Sequence, residues 1–384
     1  MNKDLIYLDH AAATPLDARV FAAMQPYFHD LFFNPSSPYA QALSVRRDYE
    51  DAKHRIAQAI GAKSDELVMT AGATESINLA FASIGGHIIT SPIEHHAVLA
   101  SAMQYETTFA EVDDKGVVIA ESIKRAIRPD TRLISIALAN NELGTIQPLR
   151  AIASLVHEER KQRLTQGNTT PLYIHSDASQ GAGQIDVHVT RLGIDLLTLN
   201  AGKMYGPKQV GLLWAASGVI LRPHITGGGQ ERGIRSGTEN VAGTVGFATA
   251  LELAEKHRKF EAERLSGLRD RLQSRLLSTF EAAIISGHQK RRLPGHLHIS
   301  FPGIDAERLV FGLEARGVMV ATGSACAANK GTRSHVLTAI GLAPDVADGS
   351  VRITLGHLTD ESVIARAADI LVDVIQKEYD RMAR

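Results

Sequence analysis

The stretch "IDLLTLNAGKMYGPKQVGLLWA", residues 194–215, decides how the rest of the chain reads. Two short apolar runs, "IDLLTLN" and "VGLLWA", flank a loop that contains the tight turn "YGPK". Runs that are apolar at successive positions fit strands buried on both faces, as in a mostly parallel sheet covered by helices. Immediately after the first run stands Lys203. Packing gives little reason for a lysine at the end of a buried strand. Desolvation there lowers the proton affinity of its amine and frees it for Schiff-base chemistry.

The same pattern extends upstream. "ELVMT" (66–70), "GHIIT" (86–90), "RLISIAL" (132–138) and "PLYIHSDA" (171–178) read as further strands. The segments 74–83, 92–103 and 149–165 between them carry helix-compatible spacing. Alternating strands and helices predict an α/β domain. In such sheets ligands sit beyond the carboxyl ends of the strands.

Residues at those ends form a set. Thr74 in "AGATESINLAF" reads as an N-cap, with free N–H groups behind it that suit an anion such as phosphate. His95 and His96 follow "IITSPIE", Asn140 and Asn141 follow "ISIALA", and Asp177 ends "LYIHSDA". Asp177 lies one strand–helix unit before Lys203 and can pair with a pyridinium nitrogen, making the ring an electron sink. Lysine, aspartate and a phosphate seat, in this order, describe a pyridoxal phosphate (PLP) site. Metal chemistry is disfavoured: His95, His175 and Asp177 lack an HExxH-type spacing, and a single cysteine cannot build a thiolate site. No P-loop is present, and "ITGGGQERG" lacks the strand-to-helix context of a dinucleotide fingerprint.

Beyond the sheet, 247–280 reads as a long helix bridging two domains, with Gly267 as a kink point. "HLHISFPG", "GVMVAT" and "SVRITLG" read as strands of a smaller α+β unit closed by a helix over 360–381. The expected division is a large domain over 14–260 and a small one made of 1–13 and 261–384. Hydrophobic content of 44% and charged content of 22% describe a globular protein, and the net charge of −1 leaves no basic face for a nucleic acid. The run Lys290, Arg291, Arg292 reads as a solvated turn. One cysteine excludes an intramolecular disulfide. The N-terminus lacks a signal-peptide h-region and no apolar run is long enough to span a bilayer, so the expectation is a cytoplasmic protein. That cysteine, Cys326, sits in "ATGSACAANKG" (321–331), a composition suited to a loop more than to a core.

The chain resembles the PLP-dependent cysteine desulfurases of the NifS/IscS group over nearly its whole length. The resemblance rests on "YLDHAAATP", "TAGATESINLA", "EHHAVL", "NNELGTIQP", "HSDASQGAG", "KMYGPK", "GGGQERGIRSGTEN", "GSAC" and "SVRITLG" in family order. It implies a fold-type I homodimer that takes sulfur from L-cysteine, leaving L-alanine and an enzyme persulfide. It implies that Lys203 holds PLP and moves the substrate's α-proton, that His95 stacks on the ring, and that Asp177 pairs with the ring nitrogen. Asn141 and Gln180 would bond the ring hydroxyl region. Ala73, Thr74 and Asn200, with Thr238 from the other subunit, would seat the phosphate, and Arg352 with Asn34 would clamp the substrate carboxylate. Cys326 would be the nucleophile, on an extended loop that carries its persulfide to an acceptor such as an iron–sulfur scaffold. Selenocysteine lyase or cysteine sulfinate desulfinase activity, and a catalytically weak partner-binding role, are the alternatives. The sequence departs from the family pattern at Asn200 (usually Ser or Thr), Gly202 (usually His), Gln209 (usually Gly) and Tyr39 (usually His), which predicts a looser phosphate seat.

Overall fold

The computed structural model describes residues 5–323 and 333–383. Cys326 therefore lies outside the described residues.

After β1 (Ile6–Tyr7), helices α1 (Ala18–Met24) and α2 (Ala40–Ile60) lead into the α/β region. There, β2 (Leu67–Thr70), α3 (Ala73–Ile84), β3 (His87–Thr90), α4 (His96–Ala102) and β4 (Thr107–Phe109) are followed by α5 (Ala120–Ala126), β5 (Thr131–Ser135) and α6 (Leu149–Thr165). Next come β6 (Tyr173–Asp177), α7 (Val189–Leu192), β7 (Leu196–Asn200) and β8 (Gly211–Ala215). The strands form one seven-stranded sheet in the order β2-β8-β7-β6-β5-β3-β4. All pairs are parallel except those of β8, which runs against both β7 and β2. The connection over 201–210 is too short for a crossover, which takes a dozen or more residues, so β8 has to turn back. Because β2 and β7 both oppose β8, they run the same way, and the carboxyl ends of β2, β3, β5, β6 and β7 share one edge. The apolar runs are buried end to end in β2, β3 and β8. The edge strand β4 was not expected; its "TTF" is half-exposed and carries no apolar run.

Helix α8 (Val241–Thr279) is the expected bridge. Val245, Phe247 and Leu251 near its start pack in the core under the large sheet. Leu265, Leu268, Leu272 and Leu276 near its end join a second core with Ile6, Leu8, Leu297, Ile299 and Leu371. The helix begins earlier than the sequence suggested, because Asn240 caps it by accepting from Gly243 N at 2.9 Å. Gly243 and Gly246 fit close packing there: a Cβ on Gly246 would stand 2.5 Å from Met24 Sδ. No break occurs at Gly267, and α8 runs through it.

The second core lies under a four-stranded antiparallel sheet made of β9 (Ile284–Ile285), β10 (His296–Ser300), β12 (Ala321–Thr322) and β13 (Ser350–Thr354), in the order β12-β13-β10-β9. The run "GVMVAT", read as one strand, is two. β11 (Val318–Met319) pairs in parallel with β1, and β12 pairs with β13. Helices α9 (Ala306–Glu314), α10 (His335–Ala339), α11 (Pro344–Asp348) and α12 (Glu361–Met382) complete the unit. Among the described residues, no helix is long and apolar enough to cross a membrane.

Several histidines are buried. His296 and His298 on β10, with no protein partner at either ring nitrogen, are held down to about 3 by burial, and His175 and His10 to about 4. A depressed folded-state pKa means that the neutral ring's contribution is complete above the unfolded value near 6.5 and is lost as pH falls toward 4. Each such group costs the fold roughly 3–5 kcal/mol once protonation is forced. The expected result is a melting temperature that is level above pH 7 and falls steeply between about pH 6.5 and 4. A flat profile by differential scanning calorimetry over that range would exclude this account.

Candidate active site

The cleft at the carboxyl edge of the large sheet has a volume of about 320 Å³ and is lined from both cores. One end of it is formed by the start of α3. The first helical hydrogen bond there is donated by Ser76 N to Gly72 O, so the amides of Ala73, Thr74 and Glu75 come before the ladder begins. The cap is Gly72, not Thr74 as expected. Its φ of 137° opens the turn in a way that only glycine takes easily, and the helix starts two residues sooner than a cap at Thr74 would set it. Gly211, at the start of β8, makes this turn possible: a Cβ there would lie 2.6 Å from Gly72 Cα and 3.0 Å from Ala73 N. Sequence reading passed over Gly211, since its partner is the turn after a strand distant in the chain.

Lys203 ends a short 3₁₀ turn after β7, capped by Asn200, whose Oδ1 accepts from Gly202 N at 3.0 Å. The lysine Nζ donates to the carbonyls of Ala11 and Ala12, at 2.7 Å each. Gln180 Nε2 donates to the same Ala11 carbonyl at 3.0 Å. Asp177 ends β6 beside them and accepts from Ser179 N at 2.9 Å. Below Asp177 is His175, fully buried, bonded to Ser135 Oγ at 2.8 Å and to Thr198 Oγ1 at 2.9 Å. A Cβ on Gly202 would meet nothing closer than Asn200 Oδ1 at 3.4 Å, an ordinary contact. Tyr39 caps α2 on the surface, its ring 6.0 Å from that of Phe33, and does not line the cleft.

His95 caps α4: its Nδ1 accepts from Ala97 N at 3.1 Å, which leaves the proton of the neutral ring on Nε2. The ring is open toward the cleft, yet the walls around it desolvate it, and this lowers its pKa. Asp177 pulls the other way, while Lys203, His96 and His335 add to the lowering. Next to it in sequence, Glu94 is buried and pushed up to about 8 by desolvation, although Ser91 Oγ (2.7 Å) and Ala137 N (3.0 Å) donate to it. His96 and His335 face each other with ring centroids 4.6 Å apart. Glu142, also buried and raised by desolvation, accepts from Ser334 Oγ at 2.6 Å. None of Glu94, Glu142 or His335 was picked out by its position after a strand.

Arg352 on β13 reaches the cleft from the small-domain side. Its Nη2 is 2.6 Å from Asp9 Oδ1, and its Nη1 donates to Asn141 O at 3.2 Å. The guanidinium is thus already held by Asp9, a partner that sequence reading did not supply. Asn34 is not brought to Arg352 within this chain. It is exposed, and its Oδ1 accepts from Ser36 N at 2.9 Å. Thr238 is likewise exposed and outside this cleft, at the end of a loop anchored by Glu231 and Arg235. Glu231 is buried against Lys53 Nζ (3.0 Å) and Met69 N (3.0 Å), and Arg235 Nε reaches Glu75 Oε1 in α3 at 2.8 Å. Among the described residues, no group of three or more His, Cys, Asp or Glu side chains could hold a metal ion.

A parallel-sheet edge that gathers a lysine, an aspartate, an imidazole and a helix N-terminus is the site of an enzyme. The chain belongs to the aminotransferase class-V family, which it matches over residues 6–366. It is 41% identical to the cysteine desulfurase IscS of Dictyoglomus turgidum, with 97% of this chain and 95% of that protein covered. Among solved structures it superposes on a NifS-like protein with a TM-score of 0.88 at 33% identity, covering 97% of this chain and 99% of that one. It also matches SspA in complex with cysteine, with a TM-score of 0.76 at 32% identity, covering 91% and 98%. The fold-type I expectation is the fold found.

Gly211→Ala tests the packing of the phosphate turn. The added methyl has to displace backbone, at a cost of about 1–3 kcal/mol. The expected outcome is a lower melting temperature together with weaker binding of inorganic phosphate by calorimetry. Unchanged stability and phosphate affinity would show that the turn is slack.

Proposed function

We propose that the chain is a PLP-dependent cysteine desulfurase that works in the cytoplasm as a homodimer and passes sulfur to an acceptor such as an iron–sulfur scaffold. The observation that carries this reading is the convergence of Lys203, Asp177, His95 and the α3 amides on one cleft. Those residues fit PLP by their chemistry. Lys203 would hold the aldehyde carbon, Asp177 the ring nitrogen, and the amides of Ala73 and Thr74 the phosphate with Asn200. His95 would lie against the ring, and Asn141 and Gln180 would meet its hydroxyl side. When bound, PLP supplies an electron sink for bonds at the substrate's α-carbon.

The chain's own residues do the rest. Lys203 moves protons at the α-carbon, held in reach by the two carbonyls that orient its amine. His95, neutral and protonated on Nε2, is set to donate a proton there. Arg352 offers its fork to the substrate carboxylate, with Asp9 holding the guanidinium in place. Cys326 takes the sulfur: L-cysteine and the Cys326 thiol become L-alanine and a Cys326 persulfide. The substrate C–S bond breaks and an S–S bond forms. Carbon keeps the electron pair of the broken bond and gains a proton, so no outside oxidant is required. The division into domains 14–260 and 1–13 with 261–384 fits this arrangement, since Arg352 and the Cys326 segment come from the smaller one.

Support for a dimer comes from the exposed apolar side chains Phe21, Phe28, Phe32, Tyr39 and Leu43, all within one segment before and in α2. Thr238 and Asn34, both outside this chain's cleft, are suited to act in a partner's.

Two variants separate the roles. Lys203→Ala should lose both the visible absorbance of bound PLP and all turnover. Cys326→Ser should keep the absorbance, and its response to L-cysteine, but release no sulfide or persulfide. Borohydride labelling at a lysine other than Lys203, or normal alanine and sulfide formation by the serine variant, would refute the assignments.

The phosphate seat gives a further expectation. Gly202 has room for a Cβ, so an imidazole can be added there. One more hydrogen bond to the phosphate is worth about 0.5–3 kcal/mol, up to roughly a hundredfold in affinity. Gly202→His should therefore slow PLP loss during dialysis against a carbonyl scavenger. An unchanged or faster loss in a folded variant would mean that another group already fills that place.

A further inference from the structure

Behind Lys203, on the side away from the cleft, lies a second cavity of about 40 Å³. Lys203 lines both. Its lining includes His10, Gln184, His296, His357 and Glu261. His10 Nε2, Gln184 Oε1 and both ring nitrogens of His296 are buried without a protein partner. Such atoms are costly to leave unpaired, so their convergence on one space points to a ligand.

The hydrogen-bond roles specify that ligand. His10 Nδ1 is 3.0 Å from the Thr354 carbonyl, which can only accept. The neutral ring therefore carries its proton on Nδ1 and presents Nε2 as an acceptor. Burial keeps the ring neutral, at about 4. Gln184 Nε2 donates to Gln180 O at 3.0 Å, which identifies Oε1 as the acceptor end. With the lone pair of a neutral His296, three acceptors require donor hydrogens, and the N–H of that same ring requires a lone pair on a bound molecule. Water meets all of these demands. At about 10–15 Å³ each, the cavity has room for about two or three.

The walls are fixed, which distinguishes this space from loose packing. A Cβ on Gly356 would lie 2.1 Å from Tyr205 Oη and 2.3 Å from His10 Cδ2, so no side chain can replace that glycine without displacing one of them. Tyr205 Oη accepts from His357 N at 2.7 Å, and the two rings stack at 3.9 Å, 3° from parallel. His357 is partly exposed and 3.7 Å from Glu261.

We propose that this cavity is a built water site in which His10 and Gln184 are positioning residues, and that it gives the Lys203 amine a route for proton exchange with solvent that bypasses the cleft. This rests on the reading of Lys203 as the group that moves the substrate's protons. In each exchange the nitrogen of Lys203 gives one proton to a water and takes another from a water, so one N–H and one O–H bond break while one of each forms, and the lysine ends with the charge it began with. The route lets the amine be resupplied while substrate fills the cleft.

Two measurements on the PLP-loaded enzyme test this. A crystal structure at high resolution should show water bonded to His10 Nε2 and Gln184 Oε1. Exchange of the α-proton of L-alanine in D2O, followed by NMR, should slow by about tenfold or more in His10→Phe and Gln184→Leu, with the PLP absorbance retained. His10→Gln, which keeps an acceptor, should recover most of the rate. A dry cavity would overturn the proposal, as would exchange at the wild-type rate in Gln184→Leu, whose side chain does not touch the Thr354 anchor and so serves if His10→Phe fails to fold. Wild-type protein that binds no PLP would instead count against the functional reading, and the crystallographic measurement would still decide the water site.

Discussion

The bonds from Lys203 Nζ to the carbonyls of Ala11 and Ala12 join the two cores of the molecule at the cleft. Residues 11 and 12 follow β1, whose Ile6 belongs to the second core, while Lys203 hangs from β7 in the first. A cation in a cleft needs acceptors once water is partly excluded. The nearest strand ends supply Asp177 and Asn200, but the carbonyls come from residues 192 and 191 positions away in the chain. The N-terminal strand is thereby committed to the small-domain sheet, since Leu8 and Asp9 continue along β13 by Thr354 N donating to Leu8 O at 2.8 Å. Arg352 lies on that same strand, and its pairing with Asp9 follows from the same alignment.

The sequence was readable where the physics is local. Buried parallel strands are apolar without alternation, and five carboxyl ends on one edge follow from the strand directions alone. That logic pointed to Lys203, Asp177, His95, Asn141 and Thr74 from the sequence alone. It failed where the decisive partner is distant in sequence. The pairing of Asp9 with Arg352 spans 343 positions, and nothing in "YLDHAAATP" signals a guanidinium. Gly211 looks like an ordinary strand-starting glycine until Gly72 is set against it. The splitting of "GVMVAT" comes from competition between two neighbours, β1 and β13, and strand propensity contains no information about that. Asn34 and Thr238 are legible as motif positions only, since their place is outside this chain's own cleft.

Electrostatics explains why so many acidic groups can crowd an anion-binding cleft. Glu94 and Glu142 lie beside the space where a phosphate, a pyridine ring and a substrate carboxylate would gather. Two more carboxylates there would oppose the phosphate and the substrate carboxylate, and at low dielectric the repulsion would be large. Burial resolves the conflict by favouring the protonated forms, with Glu94 pushed up to about 8 and Glu142 raised in the same direction. Both carboxyls brace the cleft through Ser91, Ala137 and Ser334, and burial shifts each toward its protonated form.

The same principle, applied with opposite sign, keeps the histidines neutral. His175 lies beneath Asp177 and is held to about 4 by burial, so the carboxylate above it faces an uncharged ring that accepts and donates through Ser135 and Thr198. A charged imidazole in that place would compete with a pyridinium for Asp177. A neutral one leaves the carboxylate's charge for the ligand. Arg352, paired with Asp9 at 2.6 Å, has its guanidinium fixed where the cleft meets the four-stranded sheet.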